Sequence, residues 1–166
     1  MTQMFSDGKG TLSGDGQVAV RDGLAVLTEA VRANNFQKGW RGDDSPQRNV
    51  GELTALLHSE VTEAFESYRN GEPSLWYKHK GKDWKWEGPQ TLTDNETGEV
   101  TLGKPQGIAS ELADVLIRLV DMAQEHDIPL IDAVIQKHAY NQTRPFRHGG
   151  KACQSCCCED TRTGTP

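Results

Sequence analysis

Four acidic residues fall into two pairs of like shape, Glu60 with Glu63 and Glu111 with Asp114. Each pair has i,i+3 spacing inside an apolar run of helical period, so both carboxylates of a pair share one helical face. Four carboxylates converging on one space repel each other and are costly to strip of water. A hard divalent cation relieves both costs. Oxygen donors of this kind suit Mg²⁺, with Mn²⁺ as a substitute, and make Glu60, Glu63, Glu111 and Asp114 the candidate metal ligands and catalytic acids. Magnesium held by carboxylates is commonly completed by substrate phosphates. The expected chemistry is metal-dependent attack on a small phosphorylated molecule.

The elements that must position these acids follow from the apolar pattern. A first helix is expected from about Val18 to Asn35, with Leu24, Leu27 and Val31 as its stripe. A loop from Gly39 to Pro46 follows. A second helix starts either at Ser45-Pro46 or at Asn49, which has Glu52 three residues on. It runs through Leu53, Leu56, Leu57, Val61, Ala64, Phe65 and Tyr68 and ends at Asn70-Gly71, with Pro73 blocking continuation. Glu60 continues the stripe of Leu53, Leu56 and Leu57 and so points inward or toward a cleft. A third helix begins near residues 105–107, carries Ile108, Leu112, Val115, Leu116, Leu119, Val120 and Ala123, and stops by His126-Asp127. A fourth begins at Asp127 and Pro129 and ends at Arg144-Pro145, because the residue before a proline disfavours helix.

Residues 72–104 break the helical pattern. They hold Trp76, Trp84 and Trp86 and the basic run Lys78-His79-Lys80-Gly81-Lys82. That run reads as a solvated face, with a phosphate-attracting lid as the sharper alternative. Thr91 to Thr93 and Val100 to Leu102 have strand composition, and Asp94 to Gly98 between them is a turn. The expected fold is an all-α four-helix bundle with a β-hairpin insertion between helices 2 and 3. Residues 18–148 form its domain, residues 1–17 a flexible leader, and residues 149–166 a Cys-rich tail.

The 166-residue chain carries 18 basic and 24 acidic side chains, for a net charge of −6. An acidic balance argues against a nucleic-acid polymer as the main partner. No apolar run approaches the ~20 residues of a membrane span. The stretch from Met1 to Gly16 has no apolar core of a secretory signal, so a cytoplasmic place is expected. All four cysteines, Cys153, Cys156, Cys157 and Cys158, lie in the tail, which excludes a disulfide scaffold for the body. Four thiolates suffice for zinc in principle, but three adjacent cysteines suit one tetrahedral ion poorly. An oxidation-prone, disordered tail is the reading preferred.

The two acid segments resemble a known family. Leu56-Leu57-His58-Ser59-Glu60-Val61-Thr62-Glu63-Ala64-Phe65-Glu66 is similar to the first motif of the MazG-like all-α nucleoside triphosphate pyrophosphohydrolases. Glu111-Leu112-Ala113-Asp114-Val115-Leu116-Ile117 is similar to their second. The segment from Asn141 to Lys151 resembles the one that closes many phage-type and bacterial members, and Lys38-Gly39-Trp40 resembles a stretch near their start. The resemblance covers about residues 20–151, apart from the hairpin. It implies Mg²⁺-dependent hydrolysis of a nucleoside triphosphate, a dNTP above all, to the monophosphate and pyrophosphate. It also implies a homodimer or tetramer. It turns Lys137 and Asn141 toward the phosphates or sugar. Arg144, Arg147 and Lys151 are further cations able to clamp oxygens, and Trp40 or Phe36 could stack on a base. Residues 64–110 separate the two acid pairs by more than compact members do, which touches pocket access and substrate choice. The rival expectation is a non-catalytic helical oligomer that binds nucleotide or a partner protein.

Overall fold

The computed structural model describes residues 5–42, 44–82, 85–86 and 88–145. Four helices are present: α1 (Gly14–Gln37), α2 (Val50–Arg69), α3 (Ile108–Glu125) and α4 (Leu130–Gln142). Four short strands lie between α2 and α3: β1 (Trp76–Lys78), β2 (Thr91–Thr93), β3 (Val100–Leu102) and β4 (Lys104–Gln106). The chain is therefore mostly helical with two small antiparallel sheets. Among the described residues α2 and α3 are the one extensively packed helix pair. The pure all-α bundle expected from the sequence thus gives way to this coarser description. The chain divides into two compact units, residues 20–131 and residues 1–19 with 132–166.

In the first unit, α2 starts where Asn49 can cap it. The Asn49 Oδ1 accepts the N–H groups of Gly51 at 2.8 Å and Glu52 at 3.2 Å, satisfying two donors that the first helical turn leaves without partners. The helix stops at Asn70, and Gly71 follows at φ 66°, a left-handed turn that costs glycine little. The buried positions of α2, Leu53, Glu60, Ala64 and Ser67, recur at helical period on one face. Opposite them α3 buries Val120, Asp121 and Ala123.

The two helices run antiparallel. Thr54 approaches Met122 near one end of the pair, Arg118 reaches Glu60 in the middle, and the Ala109 N–H donates to the Ser74 carbonyl at 2.9 Å at the other end. Phe65 and Tyr68, expected on the inward stripe of α2, are instead 56% and 72% exposed. Among the described residues α3 is the one helix packed extensively on α2, and it leaves these two side chains open.

The segment joining α2 to α3 is a two-tier arm. Its stem is β1 paired antiparallel with β4, with Trp76 opposite Gln106 and Lys78 opposite Lys104. Its tip is the hairpin β2–β3, with Thr91 opposite Leu102 and Thr93 opposite Val100. The tip turn is held by the Asp94 Oδ1, which accepts the N–H groups of Glu96 and Thr97 at 2.8 Å. The hairpin is the one read from the sequence; the stem was not anticipated. Gly107 makes the step from β4 into α3 at φ 92°. A Cβ there would press on the Pro73 carbonyl oxygen and lie 3.0 Å from that of Ser74, so glycine alone lets α3 begin so close to the end of α2.

In the second unit, α1 begins at Gly14, four residues before the expected Val18. The Ser13 Oγ accepts the Gly16 N–H at 3.0 Å and serves as the cap. Ahead of it Ser6 pairs with Leu12 in an antiparallel bridge. The Asp7 Oδ1 accepts the N–H groups of Lys9 and Thr11 there, and the Thr11 contact leads in holding the Asp7 carboxyl below its ordinary range. Part of the expected leader thus has a defined turn. On α4, Ile135 is buried. Arg147, Lys151 and the cysteine tail lie outside the described residues, as does Trp84 in the arm.

Candidate metal centre

The middle of α2 places Glu60 and Glu63 opposite the first turn of α3, which places Glu111. One carboxylate oxygen from each of the three lies within 4.8 Å of the others. Glu60 is buried, Glu111 half-buried and Glu63 exposed, so the group opens from the helix interface to solvent. Three of the four expected ligands are thus brought together. Asp114 is not in this set. It is exposed, and it lines the cleft next to the acids. Its side chain is one methylene shorter than glutamate, and the helix carries it one turn along from Glu111.

The site has an excess of negative charge. Burial raises the Glu111 carboxyl above its ordinary range of about 4.5, and the charges of Glu63, Asp114 and Glu60 push in the same direction. Lys104 on the arm's stem opposes the shift. Arg118 is the direct counter-charge, with its Nε 2.8 Å from the Glu60 Oε1. The sequence reading missed it, although one signal was available: Arg118 is the single basic residue of α3 and lies one turn beyond Asp114. The donors are hard carboxylate oxygens, close enough to share one ion and short of matching cations. On both counts they fit a hard divalent cation. Glu60, Glu63 and Glu111 could hold a metal ion.

Farther along, α3 continues the same stripe. Glu111, Asp114, Arg118, Asp121 and Glu125 recur at alternating spacings of three and four along one face. The second half of the stripe is balanced by cations from the loop before α2. The Arg41 Nη1 lies 3.3 Å from the Asp121 Oδ1, and the Arg48 Nη2 lies 2.5 Å from both the Asp121 Oδ2 and the Glu125 Oε2. The Arg48 backbone N–H also donates to the Glu125 Oε1 at 3.0 Å. Burial pushes the Glu125 carboxyl upward, but the hydrogen bonds and charge of Arg48 outweigh it and hold the group below its ordinary range.

Between these two regions lies a cleft of about 520 Å³. Asp114, Arg118 and Asp121 line it from α3 together with Ile117; Asn35, Trp40 and Arg48 line the remainder. Trp40 is 67% exposed and also borders a smaller cleft of about 210 Å³ with Phe36, Arg41 and Glu125. The expected aromatic platform is therefore accessible and beside the acids.

The remaining candidates fall elsewhere. Lys137 lies on α4 with its Nζ 5.5 Å from the centre of the Tyr140 ring. Asn141 and Arg144 are exposed on and just beyond that helix, in the unit that does not hold the acids. His58 is exposed. His79 is buried, with its Nε2 2.7 Å from the Pro89 carbonyl oxygen, so it is a packing residue of the arm.

No protein-family model, curated protein or solved structure matches the chain. Among the described residues no helix is long and apolar enough to cross a membrane.

Proposed function

We propose that the chain is a Mg²⁺-dependent nucleoside triphosphate pyrophosphohydrolase of the MazG-like all-α type, acting on a dNTP. The observation that carries this reading is the approach of three carboxylates, from two helices, beside a cleft large enough for a nucleotide. Glu60, Glu63 and Glu111 would hold the metal, with Asp114 at the rim. Bound there, Mg²⁺ supplies charge relief to the phosphates and acidifies the attacking water.

The chain's own groups account for the rest. Water attacks the α-phosphorus, the bond to the bridging oxygen breaks, and pyrophosphate leaves with that oxygen. A glutamate of the cluster not fully used as a ligand is the group suited to take the water's proton. Arg118 stands between the acids and the cleft, where its guanidinium can meet phosphate oxygens. Trp40 offers its ring to the base. A phosphate-binding role for Lys137 and Asn141 follows the motif resemblance alone, and one for Arg144 and Arg147 follows their charge alone.

Self-association belongs to the same reading. Val61, Phe65 and Tyr68 form an exposed apolar row on α2, and Leu112 and Leu116 are exposed on α3. Surfaces of this kind mark association sites, and a homodimer or tetramer would cover them. Sedimentation analysis should give an oligomer; an active monomer would remove this part.

One observation favours a second reading. The Arg118–Glu60 ion pair neutralises the most buried acid without metal, as a non-catalytic helical protein binding nucleotide or a partner would require. Arg118 and Lys104 against four neighbouring acids leave negative charge unmatched, so the enzymatic reading is preferred. A panel of nucleoside triphosphates assayed for pyrophosphate release with Mg²⁺ decides between them. Hydrolysis of at least one to its monophosphate is expected, together with collapse of the rate in Glu63→Gln at unchanged helical content. Inertness toward the whole panel, or an unimpaired Glu63→Gln protein, would overturn it.

A further inference from the structure

We infer that the cleft beside the acids is a nucleobase pocket, in which the Asn35 amide pairs with the donor–acceptor edge of the base while Trp40 covers its face. This rests on the nucleotide reading above and goes beyond it by naming the group that reads the base.

Asn35 sits near the C-terminal end of α1 and is 6% exposed. Its backbone carbonyl accepts the N–H groups of Trp40 at 2.9 Å and Arg41 at 3.2 Å. That turn fixes Asn35 and Trp40 as neighbours. The side-chain amide, by contrast, has no hydrogen-bond partner among the described residues, and Asn35 lines the cleft. The amide's polar atoms open to the cleft rather than being sealed, so they are available to bond to something that enters. Asparagine near a helix end ordinarily bonds to its own backbone; here it does not.

Several of the other polar groups of the cleft are committed. Both Asp121 oxygens are held by Arg41 and Arg48, and the Arg118 Nε is on Glu60. The amide supplies a donor and an acceptor side by side on one planar group. That pattern complements the edge of a nucleobase, where a ring nitrogen adjoins an amino or keto group. Ile117 provides an apolar wall and Trp40 an accessible ring, as a flat heteroaromatic requires. Asp114 and Arg118 border the same cleft on the side of the acids, so a base at Asn35 leaves the phosphates directed to the carboxylates. Rotation of the amide exchanges donor and acceptor, so the position serves amino and keto bases alike. Asn35→Asp removes both donors and should turn the site against bases that offer a keto oxygen there.

The test is equilibrium binding to the full-length protein with Mg²⁺, followed by calorimetry and tryptophan fluorescence. The probes are the four deoxynucleoside monophosphates, 2-deoxyribose 5-phosphate and pyrophosphate. At least one monophosphate should bind, with the sugar phosphate at least about tenfold weaker because it lacks the base. Asn35→Leu should weaken that monophosphate by about thirtyfold, the worth of two neutral hydrogen bonds, and leave pyrophosphate affinity unchanged. If Asn35→Leu loses helical content, Asn35→Ser, smaller and polar, carries the same expectation. Equal binding of sugar phosphate and monophosphate, or full affinity in a folded Asn35 variant, would overturn the inference while pyrophosphate binding persists. Failure of every probe, pyrophosphate included, to bind the wild-type protein would sink the pyrophosphohydrolase reading together with it.

Discussion

The two halves of the α3 stripe carry the same kinds of acid into opposite circumstances. Asp121 and Glu125 meet Arg41 and Arg48 in a balanced clamp. Glu111 and Asp114 meet Glu60 and Glu63, with Arg118 and Lys104 as the nearby cations. The first arrangement lowers the proton affinity of Glu125; the second raises that of Glu111. Acids matched by arginine hold the fold, joining the loop before α2 to the end of α3. Acids left unmatched repel one another, and Glu60, Glu63 and Glu111 could hold a metal ion that offsets the repulsion.

The largest effect expected from breaking the contrast is at the unmatched end. Glu60→Gln or Glu63→Gln should lower Mg²⁺ affinity by on the order of a hundredfold or more, since each removes a charged donor from a set of three. Calorimetric titration reads this directly, and wild-type affinity in either variant would make the acids ordinary surface charge.

At the matched end, Arg48→Ala leaves two nearly buried carboxylates short of a partner. Breaking a buried pair costs about 3–5 kcal/mol; Arg48 is partly exposed, so about 2–3 kcal/mol of unfolding free energy is expected to be lost. Arg69, paired with Glu66 on the surface of α2, is the control, and Arg69→Ala should cost under about 0.5 kcal/mol. Urea denaturation of the two variants compares them, and equal losses would dissolve the distinction.

The pH dependences should run in opposite directions. Glu125 is held below its ordinary 4.5, so its contribution to stability is whole above that value and is lost as the pH falls through the lower folded one. Glu111 is held above 4.5. Its protonation relieves the fold, and that relief is complete below 4.5 and lost as the pH rises through the higher folded value. Protons therefore compete with metal at Glu111 above its ordinary 4.5. Mg²⁺ should bind more weakly as the pH falls toward that value, before the clamp begins to fail. Coincident midpoints for metal release and acid unfolding would argue against two separate regions.

The smallest effect is also the most diagnostic in sign. Glu111→Gln removes repulsion and should stabilise the metal-free protein by up to about 1 kcal/mol, a slight rise in melting temperature with chelator present. The same change should abolish the stabilisation that saturating Mg²⁺ gives the wild-type protein, about 2.7 kcal/mol at a hundredfold excess over Kd.

Local rules made much of the framework legible. Asn49 as a cap, Gly71 as a stop and the strands Thr91–Thr93 and Val100–Leu102 each depend on neighbours within a few residues. The pairing of Glu60 and Glu63 with Glu111 was also readable, because it needs only helical spacing and two helices side by side. The clamp was not readable. Arg41 and Arg48 meet acids more than seventy residues away, and no local pattern names so distant a partner. Arg118 lies one turn from Asp114, but its spacing does not say that it turns to Glu60 on the neighbouring helix. Ser13 was absorbed into a polar leader, although a serine three residues before Gly16 is a sufficient start for α1. Phe65 and Tyr68 looked buried because periodicity marks an apolar face without saying whether anything covers it.

The arm between α2 and α3 leaves and rejoins the helices through one pair of adjacent strands, with Lys78 opposite Lys104. The tip hairpin β2–β3 lies beyond that gateway. A chain that enters and exits at a single doorway can be lengthened, shortened or exchanged there without re-laying the helices. The doorway is not inert, since Lys104 stands in its frame and tempers Glu111. Grafts made beyond it would inherit that lysine, so the helical pair would keep its local charge whatever cargo the arm carried.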